Sequence, residues 1–456
     1  MNLNSYTSEF KQNLTIAYPV MLGQLGQVFV GLADNIMVGR LGAAPLAAVS
    51  LANSILFIAL SLGIGFTFAI TPLIAEADGA KDLKRGRAVL EHGVLMSFIL
   101  GIVLFIAMLF IQPIMKWMDQ PEEVVTLAIP YFQVISLSLI PLLIFQGFKQ
   151  FADGLSLTKF AMQATIVANI INVVLNYFLI YGHWFFPRLE IVGAGIGTLV
   201  SRVFMVVFFI YIFRTRKAFK PFLRKFSFAN ISKKMLAKIY NLGYPTALQM
   251  FFEVSIFTAV VLMAGMLGVN EQAANQIALN LASMTFMIAV GLGVTATVRV
   301  GNQKGLKNYK ALRRIGFSIF LLMIVIDAFF AIGFILTKDL LPWIYIDNIE
   351  VVSIASSLIV VAGLFQLSDG FQAVVLGGLR GLQDVKKPMI ITFIAYWVIG
   401  FPVCYYLGFH TSLGTSGLWY GLLISLTASA IMLIIRFHLI TKKLINNDLI
   451  EHNDKM

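Results

Sequence analysis

The sequence predicts an all-α integral membrane protein: twelve transmembrane helices in two six-helix bundles, related by a pseudo-two-fold axis along the membrane normal. Three observations carry this. The 456 residues are 59% hydrophobic and only 12% charged, where soluble domains are about 25% charged, and the mean hydropathy is +0.86. Apolar stretches recur at twelve places, most of them longer than the roughly 20 residues a helix needs to cross a bilayer core. The second half of the chain also repeats the pattern of the first.

Taken in order, the polar residues 1–13 read as a cytoplasmic segment. They carry no cleaved leader, because the apolar run behind them is too long for a signal-peptide core. Residues 14–213 hold six spans, centred near 26, 60, 101, 137, 171 and 203, and form an N-lobe. A basic cytoplasmic linker, 214–238, follows, either solvated or lying on the anionic inner leaflet. Residues 239–440 hold six more spans, centred near 253, 286, 325, 365, 396 and 426, and form a C-lobe; 441–456 are a cytoplasmic tail. Pro19 and Pro245 open equivalent spans, while Pro130, Pro141 and Pro402 interrupt others and predict kinks. Gly193xxxGly197 and Gly417xxxGly421 recur at matching places and predict close helix packing.

The repeat is legible in "AYPVMLGQLGQVFVGLADNIMVGRLG" (17–42) against "GYPTALQMFFEVSIFTAVVLMAGMLG" (243–268), and in "ADGLSLTKFAM" (152–162) against "LRGLQDVKKPM" (379–389). An even number of spans per half gives both halves the same orientation, hence the axis along the normal and a cleft between the lobes.

Charge sets the topology. Of 34 basic residues, 28 fall on the side of both termini and 4 (Arg40, Lys116, Arg188 and Lys338) on the other, with Arg202 and Arg299 inside or at the edge of spans. Positive-inside bias places both termini in the cytoplasm, with the protein in the cytoplasmic (inner) membrane. The net charge of +12 is then topological, and nucleic acid is excluded as a partner. Cys404 is the sole cysteine, so there is no internal disulfide. Without a Walker motif, metal-spaced histidines or a nucleophile cluster, the chain reads as no enzyme, takes no cofactor and is not driven by ATP.

Four acids fall inside spans: Asp34, Glu253, Asp327 and Asp369. Glu253 lies about 20 Å along the helix from either end of its span, at ~1.5 Å per residue. A charged carboxylate there costs roughly 2.5–3.5 kcal/mol on insertion scales. Arg202 and Arg299 lie near span ends, leaving too few bases to neutralise four acids. Each carboxylate must therefore take up a proton or hold a small cation, which makes it a reversible ion site. The alternative is a protonated group that cross-links two helices, or, for Asp34, a salt bridge to Arg40. Asn172 and Asn176 are spaced i, i+4 and face one way, as are Gln276 and Asn280. By repeat alignment Glu253 pairs with Gln27 and Asp34 with Val260. Gln27 and Asp34 are seven residues apart on one helix face.

From about Leu14 to Ile440 the chain resembles the multidrug and toxic compound extrusion (MATE) family, NorM-like branch. The likeness is carried by "ADNIMVGRLG", "FADGLSLTKFAM", "INVVLNYFLIYG", "FFEVSIF", "QIALN", "TVRVG" and "LSDGFQAVVLGGLRGLQD". It implies a V-shaped secondary antiporter that exports cationic amphipathic drugs against Na+ or H+ entry and acts as a monomer. It also implies that Glu253 and Asp369, with Phe365, form a C-lobe cation site, where the two carboxylates are the Na+ ligands. Phe365 stands where the family often has Tyr, keeping a ring for cation–π contact but not the hydroxyl. Asp34, Asn172, Asn176 and Tyr131 would form an N-lobe polar site for a proton, cation or substrate. Gln276, Asn280 and Gln27 are candidates for the substrate cleft. Asp327 matches nothing in the family's pattern and is given no role. The competing classes are a lipid or lipid-linked oligosaccharide flippase and a passive channel. A pyrophosphate-handling flippase needs cations at membrane depth, where this chain has acids.

Overall fold

The computed structural model describes residues 4–118, 121–184, 186–223 and 231–453. Residues 224–230, and with them part of the basic linker, lie outside the described residues. The described chain is helical, with no strand. It has twelve helices long and apolar enough to cross a membrane. The first six are α1 (Phe10–Gly39), α2 (Ala43–Gly79), α3 (Leu83–Trp117), α4 (Glu122–Gly154), α5 (Thr158–Tyr181) and α6 (Glu190–Thr215). The second six are α7 (Lys233–Leu267), α8 (Val269–Gly305), α9 (Tyr309–Thr337), α10 (Ile349–Gly381), α11 (Lys386–Phe409) and α12 (Thr415–Ile450). Each span centre read from the sequence falls inside one of them.

The halves share local devices. Asp82 caps α3 by accepting from the Arg85 N–H at 2.9 Å, and Asn308 caps α9 by accepting from the Ala311 N–H at 3.1 Å. A side-chain oxygen here satisfies an amide that the helix leaves free. The turns that precede these caps hold Lys81 (φ 56°) and Lys307 (φ 57°) in the left-handed region. Ser156 (φ 61°) and Gln383 (φ 63°) do the same at the repeat-equivalent turns after α4 and α10. Few residues other than glycine accept that conformation, so its recurrence at matched positions marks one ancestral turn used twice.

Helix continuity follows local chemistry more closely than proline count. α1, α4 and α7 run unbroken through Pro19, Pro130 and Pro245, so Pro130 does not interrupt its helix as expected. α4 breaks at Ser138 instead, with Pro141 in the first turn of the second segment. In α11 the turn before Pro402 widens into a π-helical stretch, Ile394–Gly400. A proline has no N–H and its ring crowds the carbonyl four residues back, which a wider turn relieves. Two expected boundaries move. α7 begins at Lys233, inside the expected linker, and α12 runs on past 440, where Leu444 still packs on the C-terminal core.

The contacts divide the chain into two compact units. The N-terminal unit is Leu22–Ala77 with Lys81–Ala247. Its core includes Val38, Ala52, Leu56, Phe132, Leu143 and Ile180. The C-terminal unit takes in the chain up to Met21, Asp78–Ala80 and the chain from Leu248 onward. One of its cores surrounds Phe365, Leu358, Trp419 and Leu422, and another Leu292, Ile319, Phe320, Leu379 and Phe437. Ala17 belongs to the second of these, so the start of α1 packs with the C-terminal unit rather than with the N-lobe. Both glycine pairs sit where helices touch. A methyl on Gly193 would fall 2.6 Å from the Leu179 carbonyl oxygen, and one on Gly421 would fall 2.6 Å from the Cys404 Cα.

Candidate functional site

In the N-terminal unit, α1, α4, α5 and α6 build a polar group around Asp34. The Asn176 side chain is fully buried, and its Nδ2 donates to Asp34 Oδ1 at 2.7 Å. Asn172 is buried one turn earlier. Its amide is satisfied when the oxygen faces Thr198 Oγ1 (3.2 Å) and the nitrogen donates to Asp34 Oδ1 (3.0 Å), the orientation being set by its partners. Gly197 makes room for this: a Cβ there would collide with Asn176 Oδ1. Tyr131, 5% exposed, donates its hydroxyl to Asn53 Oδ1 at 3.2 Å. Arg202 donates to Ser138 Oγ at 2.6 Å, and its charge acts on Asp34 and Tyr131.

The structure thus brings together Asp34, Asn172 and Asn176, with Tyr131 in the same electrostatic field. Asp34 is bonded to Asn176 and not to Arg40. Gln27 is exposed on α1 and makes no hydrogen bond to this group. The expectation that Arg202 lies near a span end, leaving too few bases for the acids, needs correction. Arg202 sits at mid-α6, within reach of Asp34, because a long side chain carries its charge well away from its own Cα.

In the C-terminal unit, Asp369 on α10 is 6% exposed and its Oδ1 has no hydrogen-bond partner among the described residues. The charged groups that act on it are Glu253 and Asp327. Glu253, half-buried on α7, is in turn acted on by Arg380, near the end of α10. Arg380 thus serves an acid, although its position along the chain counts it with the cytoplasmic-side bases. Tyr396 joins the same field, and its hydroxyl accepts from Gln372 Nε2. Phe365, one turn before Asp369, is packed edge-on against Trp419 (centroids 5.3 Å apart) and Phe257 (6.0 Å). Gln276 Nε2 donates to Asn280 Oδ1 at 3.2 Å on an exposed face of α8, and neither bonds to Glu253. No group of three or more His, Cys, Asp or Glu among the described residues is arranged to hold a metal ion. Glu253, Asp369 and Asp327 are the carboxylates of this one electrostatic field.

The MatE family model matches the chain twice, over residues 19–178 and 245–406. This chain belongs to the MatE family. The double match follows the internal repeat. "Multidrug resistance protein NorM" of Photobacterium profundum is 32% identical, over 95% of this chain and 96% of its own. "Probable multidrug resistance protein NorM" of Rhizobium meliloti is 33% identical, over 95% of this chain and 94% of its own. Among solved structures, an outward-facing multidrug resistance MATE family transporter of the MOP superfamily matches with a TM-score of 0.85 at 24% identity, covering 95% of this chain and 96% of that one. A MATE in the bent conformation matches with a TM-score of 0.85 at 23% identity, covering 97% and 98%. At that identity the structural likeness shows the MatE fold alone.

Reading the sequence did not find Asn53, Ser138, Thr198 or Gln366 in this MatE chain. Asn53, Ser138 and Thr198 are common residues on apolar helices with no charge to draw notice. Gln366 carried a signal that went unused, an amide three residues before an intramembrane acid on the same helix face.

Proposed function

We propose that this chain is a secondary active multidrug efflux antiporter, exporting cationic amphipathic compounds in exchange for Na+ and/or H+. It works as a monomer in the cytoplasmic membrane with both termini inside. The carrying observation is Asp369, a buried carboxylate on an apolar helix with an oxygen that none of the described residues satisfies. Such a group is expensive to keep in a membrane interior, and an exchangeable cation supplies what it lacks. The NorM-named relatives support drug export as the purpose.

The cycle follows from linkage. A cationic drug is held while Glu253 and Asp369 are charged. Na+ or H+ entering from outside neutralises them and weakens their hold, so the drug leaves outward. The ion-bound form then turns inward and discharges. Driving two conformations from 1:99 to 99:1 takes about 5.5 kcal/mol of differential binding. One charge crossing 100 mV provides ~2.3 kcal/mol, so two ions, or one ion with a concentration gradient, suffice. Asp34 and its asparagines give the N-terminal unit a second acid that binds separately. The flippase reading is weaker, because the two arginines near these groups, Arg202 and Arg380, already act on acids rather than standing ready for a pyrophosphate.

The test is ethidium or fluoroquinolone efflux in proteoliposomes, with Na+ and proton gradients imposed separately. Glu253→Gln and Asp369→Asn should each lower gradient-driven efflux at least about tenfold, the effect of losing a charge-assisted contact. Unchanged efflux in both variants overturns the mechanism.

A further inference from the structure

We propose that Asp327, Gln366 and Asp369 together hold one Na+ ion between α9 and α10, with Asp327 as the second carboxylate ligand beside Asp369. The inference rests on the reading of Asp369 as a cation ligand and adds ligands to it. Asp327 lies in α9, is 2% exposed, and has an Oδ2 with no hydrogen-bond partner among the described residues. Its carboxylate is seated against the backbone of α10. A methyl on Gly370 would fall 2.9 Å from Oδ1 and closer still to Oδ2. Gly370 directly follows Asp369, and the Asp327 charge acts on Asp369. Only a residue without a side chain at 370 lets Asp327 sit this close to α10.

Gln366 is an independent pointer to a ligand. It is 4% exposed, and among the described residues neither its amide oxygen nor its amide nitrogen has a partner. It lies one turn before Gly370 on the same helix face. On that face Gly363 also meets α9, where a methyl would fall 3.2 Å from the Ala331 carbonyl oxygen. Gln366 therefore lies inside the α9–α10 contact, between these two glycines.

Native structures rarely leave buried polar atoms unpaired, and each one calls for a water or an ion. Here three unpaired oxygens, two of them on acids, belong to residues in and beside one helix contact. Oxygen-only donors select hard cations. Ca2+ takes 6–8 oxygens and Mg2+ keeps several waters, more than this buried set offers, so the fitting ion is monovalent and small. The other charged and titratable groups here are Glu253, Arg380 and Tyr396. Arg380 acts on Glu253 and Tyr396.

The experiment is 22Na+ binding to the purified full-length chain in detergent at pH 8, with K+ as the competing control. Asp327→Asn should weaken Na+ affinity about tenfold, the loss of one charged ligand. Gln366→Leu and Gly370→Ala should each weaken it roughly threefold, the latter with every ligand retained but displaced. Should Asp327→Asn fail to fold, Gln366→Leu and Gly370→Ala still decide the matter. Binding within about twofold of the unmodified chain in every folded variant overturns the proposal, and so does an unmodified chain that binds no Na+. Asp369→Asn, measured alongside, separates the two readings. If it abolishes binding while the other variants do not, this inference fails and the role of Asp369 stands. If it too binds normally, both fail.

Discussion

At Gly197 a missing side chain decides whether the Asp34 group can form. The buried Asn176 amide occupies the space a Cβ would take, and its nitrogen reaches Asp34 at 2.7 Å. We expect Gly197→Ala to cost about 1–3 kcal/mol through overpacking, read as a lower melting temperature in detergent. Asn176→Leu should cost a similar ~1.5–3 kcal/mol, the worth of a hydrogen bond to a charged group, and should also lower drug efflux at every imposed gradient. If Asn176→Leu lowers stability but leaves efflux intact, the Asp34 group only holds helices together. The i, i+4 spacing made the pairing of Asn172 with Asn176 readable from sequence. Their acid partner, 142 positions away, was tied to them there only by family likeness. Periodicity tells which residues share a face, but it does not tell which helix that face meets.

At the level of single elements, the start of α1 is fastened to the ends of α8 and α9. Arg299, 8% exposed, donates to Glu9 Oε2 at 2.8 Å, to Gln12 Oε1 at 2.7 Å and to Asn13 Oδ1. Glu9 Oε1 also accepts from Arg314 at 3.0 Å, and Ser318 Oγ donates to the Tyr6 carbonyl at 2.6 Å. The sequence placed Arg299 only near the end of a span. The fold shows that its anchor is the N-terminal segment. Breaking a buried pair by removing one partner costs about 3–5 kcal/mol. Arg299→Met should therefore destabilise the chain by roughly that much, and the double variant with Glu9→Gln should recover part of the loss. Thermal melts of the two single variants and the double variant check this, and strictly additive losses would mean the two side chains do not act as a pair.

For the whole molecule, the testable statement is topology. Cys404 is buried and donates its thiol to the Leu418 carbonyl, so the native chain serves as a silent background for cysteine labelling. A cysteine at Lys338 should react with an impermeant maleimide added outside cells, and one at Lys307 only after the membrane is opened. The reverse pattern would invert the orientation, and with it the direction of pumping. Twelve spans, their repeat in two halves and the acids that the bilayer makes costly were legible in the sequence, because hydropathy and charge bias act along the chain and need no partner. The fold was needed to learn which base serves which acid, why Gly370 and Gly197 are bare, and that Asp327 is seated against Gly370, next in the chain to Asp369. Those facts depend on which helix faces which, and close packing fixes that choice between segments dozens to hundreds of residues apart.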